Sequence, residues 1–302
     1  MRNTFINQLL ASAKEDKSIL LITGDLGYGV VDQFADELPE QFLNFGINEQ
    51  SMMGAAAGLA SKGFKPFVYS IGNFPTFRCL EQIRNDVCHM NLDVCIVALG
   101  AGFSYGTAGY SHHLVEDISA LSALPNLNIY SPADTLEVEL LFPKILANRG
   151  PRYLRLGKGG EGRITDKFKQ VASGISILSG SSKLAVITTG NIISEVILAL
   201  KDISPEFHPT VISVSDFNSL KGYIPEIGFD RIITVEEHLL RGGFGSIILE
   251  LLSNLNCNLT RIGISSLSSE INGSQQFLRR NYGLDSVAIT QLVRQEFAAI
   301  EC

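Results

Sequence analysis

The chain has 302 residues, 45% of them hydrophobic, enough to bury two cores at about 100 to 200 residues per domain. Lys and Arg number 24 against 31 Asp and Glu, a net charge of -7, and the absence of any basic run excludes a nucleic-acid backbone as partner. No run of about 18 uncharged apolar residues occurs, and MRNTFINQLLASAKED has helical periodicity rather than a basic start before an apolar core, which excludes a membrane span and an export signal.

In chain order, short β-branched and aromatic runs alternate with helical patterns. Strands are predicted at ILLIT (19–23), FLNF (42–45), PFVYSI (66–71), VCIVAL (94–99), LNIYS (127–131) and YLRL (153–156), and helices over 48–62, 74–89, 115–123 and 134–148. This alternation predicts an α/β fold built on a mostly parallel sheet, and near-continuous apolar strands suit a sheet covered by helices on both faces. From Gly157, GKGGEGRITDKFKQ breaks the rhythm with glycines and charges. It resumes at LAVITTG (184–190), TVISVS (210–215), RIITVEE (231–237) and TRIGI (260–264), with helices near 274–281 and 285–299. Two α/β domains follow, residues 1–160 and 183–302, joined by a linker over 161–182. The five cysteines (Cys79, Cys88, Cys95, Cys257, Cys302) are odd in number and form no C-x-x-C pair, so they read as reduced thiols of a cytoplasmic protein without disulfides or a zinc site.

Several positions carry candidate chemistry. In FGINEQ (45–50), Asn48 and Glu49 have the look of a helix start, where a capping amide and an acid near the positive dipole end are favourable by less than about 1 kcal/mol each. Behind Glu49, GAAAG (54–58) leaves one helical face without bulky side chains, suited to the close approach of another backbone, subunit or ligand. GFSYG (102–106) matches the G-x-S-x-G elbow of serine hydrolases, with Asp216 and His238 following in the order Ser, Asp, His. An elbow must turn directly into a helix, however, and Ser104 is followed by the glycine-rich polar loop YGTAGYSHH. In that loop the adjacent His112 and His113, beyond the carboxyl end of a strand, are candidates for proton transfer or for binding hydroxyls, and also for capping the next helix. A phosphate loop of the G-x-x-x-x-G-K-[ST] type is absent. The amides of GGFGS (242–246) could cradle an anion, although close packing of strand on helix explains the glycines equally well.

Taken in order, ITGDL (22–26), FLNFGINEQSMMGAAAGLA (42–60), LEQIRND (80–86), GYSHHLVEDISALSALPNLNIYSPAD (109–134), GPRYLRLG (150–157) and TVEEHLLRGGFG (234–245) resemble the transketolase family. The resemblance spans the pyrimidine-binding and C-terminal domains only, as in the smaller component of transketolases split over two genes. It implies thiamine diphosphate as cofactor, held with Mg²⁺ or Ca²⁺ by a partner chain: the family's G-D-G…N signature is missing, Gly24-Asp25 continuing as Leu26-Gly27. The assembly it implies is an α2β2 heterotetramer that moves a two-carbon ketol unit between sugars.

The resemblance also assigns roles. Glu49 becomes the glutamate of the G-I-x-E-Q motif, bonded to the ring nitrogen of the aminopyrimidine, a role that suits a partly desolvated acid. Phe74 stacks on that ring, Phe77 and Ile71 wall its pocket, Leu26 wedges between the two cofactor rings, and Asp25 lies nearby. His112, with His113 beside it, contacts donor hydroxyls. On the acceptor side the family's charged groups fall at Ala108, Gly100, Gly29 and Lys158, leaving Arg2 and Lys158 as substrate contacts and pointing to a larger acceptor, such as a nucleotide-activated sugar in branched-sugar biosynthesis. The β subunit of a 2-oxo acid dehydrogenase is the nearest rival reading; a non-catalytic scaffold and a hydrolase using Ser104 are rivals of other classes.

Overall fold

In a computed structural model, residues 1–224, 228–254, 257–268 and 270–301 are described; Cys302 lies outside them. The first sheet holds β1 (Ile19–Thr23), β2 (Phe42–Asn44), β3 (Lys65–Ile71), β4 (Cys95–Leu99), β5 (Asn128–Tyr130) and β6 (Arg152–Leu156), all parallel, in the order β2-β1-β3-β4-β6-β5. Every residue of β1 and β4 is buried, because the pleat sends alternate side chains into two cores. Ile19 and Leu21 join Phe5 and Leu9 of the Arg2–Glu15 helix and Phe142 of the Thr135–Ala147 helix, whereas Leu20 and Ile22 join Met52 and Ala56 of the Glu49–Ala60 helix. Each fully packed aliphatic side chain in such a layer stabilises the fold by about 1.5 to 3 kcal/mol.

The second sheet runs β12-β11-β9-β10-β8-β7. Four strands, β9 (Ser181–Thr188), β10 (Pro209–Val214), β11 (Arg231–Leu239) and β12 (Asn258–Ile264), are parallel, and β7 (Lys169–Ala172) and β8 (Ile175–Leu178) add an antiparallel hairpin on one edge. Two mostly parallel sheets flanked by helices agree with the expected fold class. The hairpin corrects the expected linker over 161–182, since its residues from Lys169 onward belong to the second sheet. Gly174 makes the turn at φ +74, and the strands flanking it are short and partly exposed, so no long apolar run announced them. The crossing segment is fixed by Asp134: one carboxylate oxygen caps the Glu137 amide at 3.0 Å, and the other accepts from the amides of Ile164 (2.6 Å) and Thr165 (2.7 Å).

The helix expected over 74–89 is three pieces, Asn73–Phe77, Leu80–Gln82 and a wide-turned stretch Ile83–His89, with Cys79 at φ -111 interrupting the first turns. The four described cysteines are free, three of them buried.

The sheets meet through buried polar groups. Asp117 accepts from the Tyr153 hydroxyl and the Arg155 Nε, both at 2.9 Å, and Arg155 continues to the carbonyls of Leu114 (2.6 Å) and Glu237 (3.3 Å). Glu237 in turn accepts from the Phe103 amide (3.0 Å), Gln275 and Arg279. His238 completes the joint: its Nε2 accepts from the Ile118 amide at 3.1 Å, so its Nδ1 carries the proton and donates to the Leu239 carbonyl at 2.8 Å. Burial pulls this imidazole down to about 4, in keeping with a neutral ring.

Candidate functional site

The candidate residues gather beyond the carboxyl ends of β2, β1, β3, β4 and β6, the side of an open α/β sheet on which ligands bind. After β2, Asn48 caps the Glu49–Ala60 helix by accepting from the Ser51 amide at 3.4 Å. Glu49 is the first residue of that helix and is only 5% exposed, a carboxylate buried near the positive end of the dipole. Its Oε2 accepts from Arg78 Nη1 at 3.0 Å. The same guanidinium lies over the Phe74 ring, 4.3 Å from its centroid. Phe74 and Arg78 are four residues apart in a helical turn, which places them on one face.

From Phe74 the contacts continue along the sheet edge. His112 meets the Phe74 ring edge-on at 5.4 Å, and the Asn73 amide donates to the Ser111 carbonyl at 2.7 Å, tying the histidine turn to the aromatic helix. His112 Nδ1 is 3.0 Å from the Ser111 hydroxyl. Tyr105 approaches His112 at 6.4 Å between centroids, and the Lys158 ammonium sits 5.3 Å from the Tyr105 centroid. Arg2 packs against Gly159 and beside Tyr105, whose phenol is pushed up by burial, an effect that Arg2 partly offsets. Glu49, Phe74, His112, Lys158 and Arg2 are thus brought into one continuous wall.

The β1 loop completes the mouth. Gly24 passes so close to the Gly46 carbonyl that a Cβ there would lie 2.9 Å away, and Asn44 Oδ1 accepts from the amides of Asp25 and Gly46, each at 2.9 Å. Asp25 adopts φ +54 and accepts from the Tyr28 hydroxyl at 2.6 Å. Leu26 is half-buried against the first core, and Ile71 is half-buried at the end of β3. Phe77, in contrast, is 36% exposed and has no aromatic partner among the described residues.

Other expected groups are placed differently. His113 is 2% exposed; its Nε2 donates to the Gly106 carbonyl at 3.3 Å and its ring meets Phe103 edge-on at 5.1 Å. Burial lowers its pKa, so this neutral ring braces the loop, and its expected contact with substrate is corrected accordingly. The Ser104, Asp216 and His238 order forms no triad. Ser104 donates to the Ala101 carbonyl at 2.7 Å, Asp216 pairs with Lys144, and His238 is committed to Ile118 and Leu239. The group seated at GGFGS is the chain's own Glu236 carboxyl, accepting from the amides of Phe244 (2.6 Å) and Gly245 (2.9 Å), with its pKa pushed up to about 8 by burial. At Gly100 a Cβ would lie 2.2 Å from the Tyr105 ring, so Tyr105 fills the space that a side chain there would use. Gly29 has nothing within 4 Å of a Cβ, and Ala108 is exposed.

The family profile described as "Transketolase, pyrimidine binding domain" matches residues 1–160. A putative transketolase C-terminal section from Methanocaldococcus jannaschii is 32% identical over 98% of this chain and 96% of its own. The chain belongs to the transketolase family. One component of the apulose-4-phosphate transketolase of Phocaeicola vulgatus is 32% identical over 95% of this chain and 94% of its own. A solved split-gene transketolase, an inactive beta4 tetramer, superposes with a TM-score of 0.84 at 27% identity, covering 97% of this chain and 96% of that one. These relatives, matched over nearly their whole length, are C-terminal sections or single subunits of transketolases.

The family's pyrimidine domain implies thiamine diphosphate, and the wall suits its ring end. A flat group that stacks on Phe74 and donates an N–H to Glu49 is already present in the Arg78 guanidinium, so carboxylate and aromatic are spaced to hold a planar nitrogen ring. Among the described residues, no group of three or more His, Cys, Asp or Glu could hold a metal ion. Sequence reasoning missed Arg78, Asn44, Asn73 and Tyr105. Only Arg78 carried a usable signal, its spacing of four residues from Phe74.

Proposed function

We propose that the chain is the small component of a heteromeric transketolase, active only with a partner chain that holds the diphosphate and Mg²⁺ or Ca²⁺, in an α2β2 assembly. Thiamine diphosphate, when bound, would supply the nucleophilic carbon needed to move a two-carbon ketol unit from a ketose donor to a carbonyl acceptor. The observation that carries this reading is the buried Glu49 carboxylate beside the Phe74 face. Glu49 holds and exchanges a proton with the pyrimidine ring nitrogen, and its position at a helix start keeps it fixed while it does so. Phe74 orients the ring, Leu26 and Ile71 close the apolar side, and Asp25 shapes the loop. Phe77 is free to meet the partner chain. His112, held by Ser111 and Phe74, binds donor hydroxyls.

The acceptor side supports a large acceptor. Tyr105 covers Gly100, and Lys158 and Arg2 are the cations beside it. Beyond Lys158 lies a cavity of about 320 Å³ lined also by Ser104, Asn191, Ser194, Gln275 and Arg279. This cavity continues the wall past Lys158, and a nucleotide-activated sugar is the acceptor we assign. The apulose-4-phosphate transketolase of Phocaeicola vulgatus is named for a phosphosugar, which makes a sugar phosphate the competing acceptor. Steady-state assays of the assembled complex decide between them: turnover of ribose 5-phosphate with none of any nucleotide sugar overturns the large acceptor. Unchanged activity in Glu49→Ala removes the transketolase reading.

A further inference from the structure

Arg78 makes three contacts at the entrance to the site, and they differ in kind. Its carbonyl accepts from the Gln50 amide at 2.9 Å, which anchors its backbone to the residue following Glu49. Its guanidinium bonds Glu49 and covers the Phe74 ring, while its side chain remains 50% exposed. The anchored part cannot leave; the charged part can, because water already reaches half of it. A guanidinium is planar, cationic and rich in N–H donors, which are the properties of a protonated aminopyrimidine. It takes both partners, the carboxylate and the aromatic face, that such a ring needs.

We infer that Arg78 is a place-holder: in the cofactor-free chain its guanidinium occupies the seat of the pyrimidine ring, and the cofactor docks by displacing it into solvent. The inference rests on the thiamine-diphosphate reading above. Without the place-holder, Glu49 is a buried carboxylate with no counter-charge, a costly state for the waiting chain. With it, the carboxylate stays compensated and Phe74 covered until the ring arrives. Arg78 is thus a residue that acts through Glu49 and sets the cost of cofactor entry.

The test is calorimetric titration of the assembled complex with thiamine diphosphate at saturating Mg²⁺. Arg78→Met keeps the chain length but removes charge and bond, and should tighten binding about tenfold. Arg78→Lys, which retains charge without the flat face, should fall between Arg78→Met and wild type. In a Glu49→Gln background, where the guanidinium has lost its charged partner, Arg78→Met should give no further gain. Melting temperatures of each variant check that the fold is intact. Binding by Arg78→Met that is unchanged or weaker, or a cofactor complex in which Arg78 still bonds Glu49, overturns the place-holder while leaving the thiamine-diphosphate reading in force. Failure of the wild-type complex to bind the cofactor removes that reading, and the place-holder with it.

Discussion

Two arginine–carboxylate systems in this protein use the same chemistry for opposite ends. At the joint between the sheets, Arg155 with Asp117 and Arg279 with Glu237 are buried on both sides and bonded again to backbone carbonyls, hydroxyls or amides. At the mouth of the site, Arg78 with Glu49 is buried only on the carboxylate side. A pair locked from both sides costs most to break, because each partner left alone is an uncompensated buried charge. A pair open on one side can exchange its cation for another group. Exposure of a single side chain separates a structural clamp from a replaceable contact.

Breaking the mouth has the largest expected effect on activity. Glu49→Ala should lower kcat of the assembled complex by about 100- to 10,000-fold with the thermal melt little changed, as steady-state kinetics and circular dichroism would record. Breaking the joint should act on stability instead. Arg155→Met should cost about 3 to 5 kcal/mol in urea unfolding, since it strands Asp117 in the interior. If Arg155→Met proves silent, or Glu49→Ala unfolds the chain, the contrast between the two systems is lost.

The joint should also respond to pH. His238 is held neutral, with its pKa lowered from 6.5 to about 4. Between these values the unfolded chain takes up a proton that the folded chain refuses, so the contribution of His238 to stability is full above about pH 6.5 and falls as the pH drops towards 4, opposed by buried Glu137 and Glu236, whose pKa values burial raises to about 7 and about 8. The difference between the urea midpoints of wild type and His238→Gln, followed over that window, should carry this slope, and a difference that does not change with pH overturns it. A smaller effect is expected for His112→Ala, a rise of about tenfold in KM for the ketose donor from one lost hydrogen bond. Smallest is Ser104→Ala, within about 0.5 kcal/mol of wild type in stability and with donor turnover reduced less than about tenfold; complete loss of activity would return attention to the hydrolase order.

Both sheets were legible as apolar strands alternating with helical patterns, because the inner parallel strands β1, β4, β6 and β10 are buried on both faces and carry their signal locally. The β7–β8 hairpin was not, since short, half-exposed edge strands around Gly174 look like loop. Within the site, Glu49 and His112 stood out by residue type and by resemblance to the family. The inward turn of His113 could not be read, because adjacent histidines share their neighbours in sequence and what distinguishes them, Phe103 and the Gly106 carbonyl for His113 and the Phe74 ring for His112, is set by the folded loop.

The sequence by itself determined the α/β class, the succession of strands along the chain and the residue types able to share a proton or bind a hydroxyl, because periodicity and side-chain chemistry are local properties. Tertiary structure decided which of those groups are open and which are spent. Glu236 fills its own glycine cradle, His238 seals the joint, and Arg78 reaches Glu49 only because the turn carrying Phe74 packs beside the Glu49 helix. Such assignments depend on what a side chain meets from elements distant in the chain, and neither composition nor spacing encodes that meeting.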